Sequence, residues 1–203
     1  MGVHELELDG KPRTMVGIFI GTGIGAGIII DGRPYAGFNH TAGEIGHMVL
    51  DIDGPKSNWG PRGTLESLAG RSALFQRLRE AIADGEKCSL IEGLGPELKD
   101  LRSGDLRKAI KRGDELVRHV VHDAARYIGI AVGNIINVLN PEVIALGGGV
   151  IEALSKEMMP IICKIAFENA LPGTERGIRI IESKLGDHAG IAGAAVLARK
   201  SAT

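Results

Sequence analysis

The segment YIGIAVGNIINVL, residues 127 to 139, is apolar on nearly every face of the helix that its spacing predicts. A helix of that kind cannot lie with one side in water, so it has to be covered by a sheet and further helices. It is the second half of one long helix predicted over Asp114 to Leu139, which Pro141 stops. VIALGGG at 143 to 149 then reads as a strand running into glycines, followed by a helix over Val150 to Ala170 and a strand GIRIIES at 177 to 183. A helix of small residues from Ala189 to Arg199 ends the pattern. At the front, MVGIFI at 15 to 20 and GIIIDGRPYAG at 27 to 37 are β-branched runs around a glycine turn, with Asp31-Gly32 as a second hairpin turn. A meander first, then alternating helix and strand, predicts an α/β fold with a mixed sheet and packed helices.

Between these halves, residues 39 to 63 turn polar and irregular and read as a long loop region, the kind of segment that usually carries function. Thr64 to Ala83 has apolar residues at a spacing near 3.6 and predicts one amphipathic helix, ended by Gly85. A connector over 84 to 104 leads into a short helix at Ser103 to Lys111. The whole, residues 1 to 203, reads as a single domain with no internal repeat.

Composition narrows the function classes. With 44% hydrophobic residues in 203, the chain buries enough surface to need no disulfide or metal staple. Lys and Arg number 24 against 25 Asp and Glu, and aromatics are only 3%, which argues against a nucleic-acid surface with stacking platforms. Cys88 and Cys163 form no CxxC and read as reduced thiols. The first 14 residues have no apolar core of a signal peptide, and the longest apolar run, Met15 to Ile30, is too short for a membrane helix. A cytoplasmic protein with no membrane partner is the expectation. Glycine, at 30 residues, is about twice its ordinary usage of roughly 7%, which points to turns and close backbone approaches.

Three motifs allow chemistry. Gly21-Thr22-Gly23-Ile24-Gly25-Ala26 satisfies GxGxxG/A, but a strand follows rather than a helix, so the dinucleotide reading fails. The turn either presents backbone N–H groups and the Thr22 hydroxyl to a phosphate or is simply tight. Glu44 and His47, three residues apart in TAGEIGH, either bond neighbouring hydroxyls of one polyol or decorate a solvated loop. VIALGGGV is either a backbone platform for nucleotide at a helix N-terminus or close packing. His119, His122 and Asp123 share one side of the long helix, but the flanking Arg118 and Arg126 favour a solvated face over a metal pair. Asp187 reads as the cap of the last helix.

Taken in order, GTGIGAGIIIDG, TAGEIGHM, GTLESLAG, NPEVIALGGGV and LGDHAGIAGAA resemble the ROK family of bacterial repressors and sugar kinases, glucokinase-like members included. The resemblance covers Val16 to Ala198 and implies the C-terminal lobe of an actin-like, ribonuclease-H-like ATPase fold. It also implies roles: Thr22 and Gly23 beside the phosphates of ATP, Gly147, Gly148 and Gly149 beside the adenosine, and Glu44, His47 and Glu66 on the hydroxyls of a hexose. Mg would accompany the ATP. Apart from the resemblance, a homodimer is expected, since the face that would meet the absent lobe would be an apolar patch.

Two departures matter. Family members carry zinc on the His of GExGH and three Cys of CxCGxxGCxE; here the Cys positions read Ser57, Trp59 and Thr64, so zinc is not expected. The family's DxGxT loop and catalytic Asp would precede the GTG turn, and only 20 residues precede Gly21, so no catalytic residue is expected in this chain. The expectation is therefore a sugar-kinase lobe with little activity alone, its N-terminal lobe being either a separate chain or a deleted segment. The alternative is a non-catalytic sugar-sensing or interaction module related to the repressors but without their DNA-binding domain.

Overall fold

A computed structural model describes residues 1–58, 60–186 and 189–201. Five strands form one mixed sheet: β1 (Met15–Ile20), β2 (Ile24–Ile30), β3 (Arg33–Pro34), β4 (Val143–Gly147) and β5 (Arg179–Glu182), in the order β3-β2-β1-β4-β5. The first three pair antiparallel as a meander. β1 then pairs parallel with β4 from Met15 opposite Val143 to Phe19 opposite Gly147, and β4 pairs parallel with β5.

Alternation along the strands divides the core in two. Val16, Ile18 and Ile20 of β1 and Ile144 and Leu146 of β4 point to the face covered by α5 (Glu115–Leu139) and α6 (Gly149–Asn169). The predicted all-apolar half of α5 lies there, with Ile128, Val132 and Ile136 fully buried. Gly129 and Gly133, one turn apart, let α6 approach: a Cβ on Gly129 would stand 2.7 Å from the Ile165 Cβ, and one on Gly133 2.9 Å from the Ala166 carbonyl. Met15, Val143 and Ala145 point to the opposite face, where a π-helical turn at Val3–Glu7 brings Val3 against them.

Four further helices flank this frame: α1 (Leu65–Ala69), α2 (Arg71–Ala83), α3 (Ile91–Leu94) and α4 (Ser103–Lys111), while α7 (Ala189–Ser201) ends the described chain. The helix expected over Thr64 to Ala83 is in fact two, because Gly70 is extended at φ −66° and ψ 154°. The connector expected over 84 to 104 contains the short α3. Pro160 sits inside α6 without ending it. Among the described residues no helix is long and apolar enough to cross a membrane. The expected Asp187 cap lies outside the described residues.

Candidate functional site

Because β1 and β4 are parallel neighbours, their carboxyl ends lie side by side, the edge at which open α/β sheets bind ligands. The turn after β1 closes by a bond from the Gly21 N–H to the Gly23 carbonyl, 2.9 Å. After β4, Gly148 takes φ +85° and lies on the end of β1, where an added Cβ would stand 2.5 Å from the Ile20 carbonyl oxygen. Gly147, in strand, leaves room for the Phe19 ring, 2.8 Å from where its Cβ would be. Gly149 opens α6 and turns that helix's unpaired N–H groups toward the same edge.

Glu66 closes on the turn from the other side. Thr64 caps α1, its hydroxyl oxygen accepting from the Ser67 N–H at 3.2 Å, and this orients Glu66 in the first turn. The Glu66 Oε2 accepts from the Ile24 N–H at 2.8 Å, and a Cβ on Gly23 would lie 2.2 Å from that carboxylate. The break at Gly70 has its reason here: the N–H groups of Arg71 and Ser72 leave the helical ladder and donate to the Gly21 and Thr22 carbonyls at 3.0 and 3.2 Å. The Arg71 guanidinium also donates to the Thr22 hydroxyl, 2.5 Å.

The polar loop supplies the remaining nominated residues. Ile45–His47 is one turn of 3-10 helix, and Gly46 lies so close to the Ile24 carbonyl that a Cβ would stand 2.3 Å from it. Glu66 and the Glu44-to-His47 turn thus converge on the two sides of one residue, Ile24. Glu44 is exposed, and its Oε2 lies 3.8 Å from the His47 Nε2. Among the described residues nothing hydrogen-bonds the buried His47 Nδ1.

Two depressions flank the Arg71–Thr22 bond. One, of about 710 Å³, is lined by Arg71, Lys99, Arg102, Ser103, Arg107 and Gly149. Arg71, Ser103 and Gly149 are the first residues of α2, α4 and α6, so three helix N-termini and four cationic side chains face one groove, with Glu152 as the one carboxylate among its described lining residues. The Ser103 hydroxyl is buried there without a hydrogen-bond partner among the described residues. The other depression, of about 360 Å³, is lined by Thr22, Gly23 and Glu66 together with Asn58, Gln76 and Arg77. The basic groove was invisible in the sequence, because its cations fall in no motif and meet only through helix docking.

Side chains considered as metal ligands do not gather. Asp123 accepts from Arg77 at 2.8 Å and lies 3.3 Å from the His119 Nε2, while His122 turns to Glu157. Among the described residues no group of three or more His, Cys, Asp or Glu could hold a metal ion. At the family's zinc-ligand positions, Thr64 is fully buried and its hydroxyl is spent on capping α1, so a thiolate's place is taken by a cap. Zinc does not fit these residues. Trp59 lies outside the described residues.

The family model described as "ROK family" matches residues 2–201. A glucokinase from Halalkalibacterium halodurans is 34% identical over 190 residues, covering 93% of this chain and 57% of that one. The DNA-binding transcriptional dual regulator NagC of Escherichia coli K12 is 31% identical over 179 residues, covering 88% of this chain and 42% of its own. The solved structure of a ROK family glucokinase from Streptomyces griseus, in complex with glucose and AMPPNP, superposes with a TM-score of 0.84 at 27% identity, over 98% of this chain and 64% of that one. The chain therefore spans about half the length of the curated relatives it matches, and the actin-like ATPase fold of ROK sugar kinases is the fold seen here.

Proposed function

We propose, from the premise that this chain belongs to the ROK family, that it is the C-terminal lobe of an ATP-dependent hexose kinase. The observation that carries this reading is the groove on which three helix N-termini and four cations converge, one hydrogen bond away from the carboxylate-lined pocket. An anionic donor and a neutral hydroxyl acceptor need such adjacent sites, one basic and the other polar with its charges balanced. Phosphoryl transfer asks a protein chiefly for positioning and charge stabilisation, which is what these residues offer.

In this reading Arg71, Lys99, Arg102 and the α6 N-terminus hold the nucleotide's phosphates, with Gly147 to Gly149 keeping side chains out of its way. ATP, with its magnesium, supplies the transferable γ-phosphoryl group when bound. Thr22 and Gly23 stand between donor and acceptor. Glu66 uses its second oxygen, Oε1, and Glu44 and His47 their exposed edges, to accept from and donate to the sugar's hydroxyls. No residue of this chain is assigned as the base that takes the attacking hydroxyl's proton; a general base is worth about 10² to 10⁴ in rate. The reading includes a cytoplasmic homodimer completed by an N-terminal lobe.

A coupled ADP-release assay tests it: with glucose and ATP this chain alone gives no turnover above background, while it binds a fluorescent ATP analogue. Ordinary kinase turnover, or no nucleotide binding, overturns the reading. The match to NagC favours one alternative, a sugar-sensing module. That module would bind sugar with the same affinity whether or not nucleotide is present, whereas the kinase lobe couples the two.

A further inference from the structure

The smaller pocket has walls that the sugar and nucleotide contacts do not use. Thr22, Gly23 and Glu66 form one side; Asn58, Gln76 and Arg77 belong to the rest. Its chemistry is balanced: Lys56 and Arg77 are matched by Glu66 and Glu80, and Asn58, Ser67, Ser72 and Gln76 add neutral donors and acceptors. Its cations are too well matched by carboxylates for a polyphosphate. The polar side chains are also braced. Arg77 is held by Asp123 at 2.8 Å, and the Gln76 amide donates to Glu80 at 2.8 Å, while its carbonyl oxygen accepts nothing among the described residues. At about 360 Å³ the pocket falls in the lower part of the roughly 300–1,000 Å³ range of small-molecule sites. Glu66 joins it to the turn, with Oε2 fixed by the Ile24 N–H and Oε1 accepting nothing among the described residues.

We propose that this pocket is a second carbohydrate subsite: the ligand is a hexose bearing a further polyhydroxylated unit, with the hexose on Glu44, His47 and Glu66 and the attached unit among Asn58, Gln76 and Arg77. The inference rests on the sugar-binding role given to Glu66 above. It makes the preferred ligand class a disaccharide or glycoside rather than a free hexose.

The test is titration of the ¹⁵N-labelled chain with glucose, maltose and cellobiose, followed by NMR. Glucose shifts the Gly23 and Ile24 amides alone. At least one disaccharide also shifts the side-chain amides of Asn58 and Gln76 and binds about fivefold tighter or more, the gain of one net hydrogen bond. In Gln76→Ala that ratio falls below about twofold. If the disaccharides bind no tighter than glucose and leave Asn58 and Gln76 unmoved, the subsite is wrong while the sugar-binding reading stands. If no sugar moves Gly23 or Ile24, both fall. A shift of the Gln76 side chain by inorganic triphosphate instead overturns the carbohydrate assignment in favour of an anion pocket.

Discussion

Gly148 is constrained near the site both by its backbone conformation and by its surroundings. Its φ of +85° with ψ 164° lies where only glycine rests comfortably, and a methyl group would meet the Ile20 carbonyl at 2.5 Å. Gly148→Ala is expected to lose about 3 kcal/mol of stability, read as a fall in the urea midpoint. Glu66 behaves differently, because one oxygen is structural and the other is open. Glu66→Gln keeps an oxygen for the Ile24 N–H, so its urea midpoint stays within about 0.5 kcal/mol of the parent, while glucose binding, followed at the Gly23 and Ile24 amides, weakens about tenfold or more. The motifs made Thr22, Gly23 and Glu66 legible as candidates. What they could not display was that Glu66 clasps the turn, since its partner Ile24 lies 42 residues away in sequence.

At the scale of elements, Asp114 joins two of them. Its carboxylate caps α5 through the Val117 N–H at 3.0 Å and receives the Ser89 N–H at 2.6 Å, tying the segment before α3 to the start of the long helix. Burial alone would raise this carboxyl, but the N–H groups of Val117 and Ser89 outweigh burial and hold it below the usual carboxylate range. A lowered folded value stabilises the fold at every pH above the unfolded value near 4, and that stability drains away as pH falls through the folded value. Asp114→Ala therefore costs about 1 to 3 kcal/mol at pH 7 in urea unfolding, and the difference from the parent narrows below about pH 4. Elements whose apolar pattern was long or continuous, such as α5 and β1, were legible in the sequence. The break between α1 and α2 was not, because the apolar spacing runs on through it and its cause is the docking of the turn onto Arg71 and Ser72.

For the molecule as a whole, the two ends of the described chain are bound together. The Glu7 Oε1 accepts from the Ser183 hydroxyl and from the N–H groups of Lys184 and Leu185, each at 2.9 Å, so one carboxylate fastens the first turn to the segment between β5 and α7. Glu7→Ala leaves the core intact and loosens that corner by about 1 to 3 kcal/mol. Limited trypsin digestion then cleaves after Lys184 several-fold faster, with peptides of α5 and α6 still protected. The mixed sheet was foreseeable from the order of strands and helices, but the strand order was not, because no local signal says that β1 waits for β4. That wait has a consequence during synthesis. Val143 emerges from the ribosome 128 residues after its partner Met15, roughly 6 to 25 s later at 5–20 residues per second. Throughout that interval the β1 edge is an open row of backbone groups on an apolar strand, and the newborn chain depends on chaperones, or on dilution, to keep a neighbouring copy from taking the place reserved for β4.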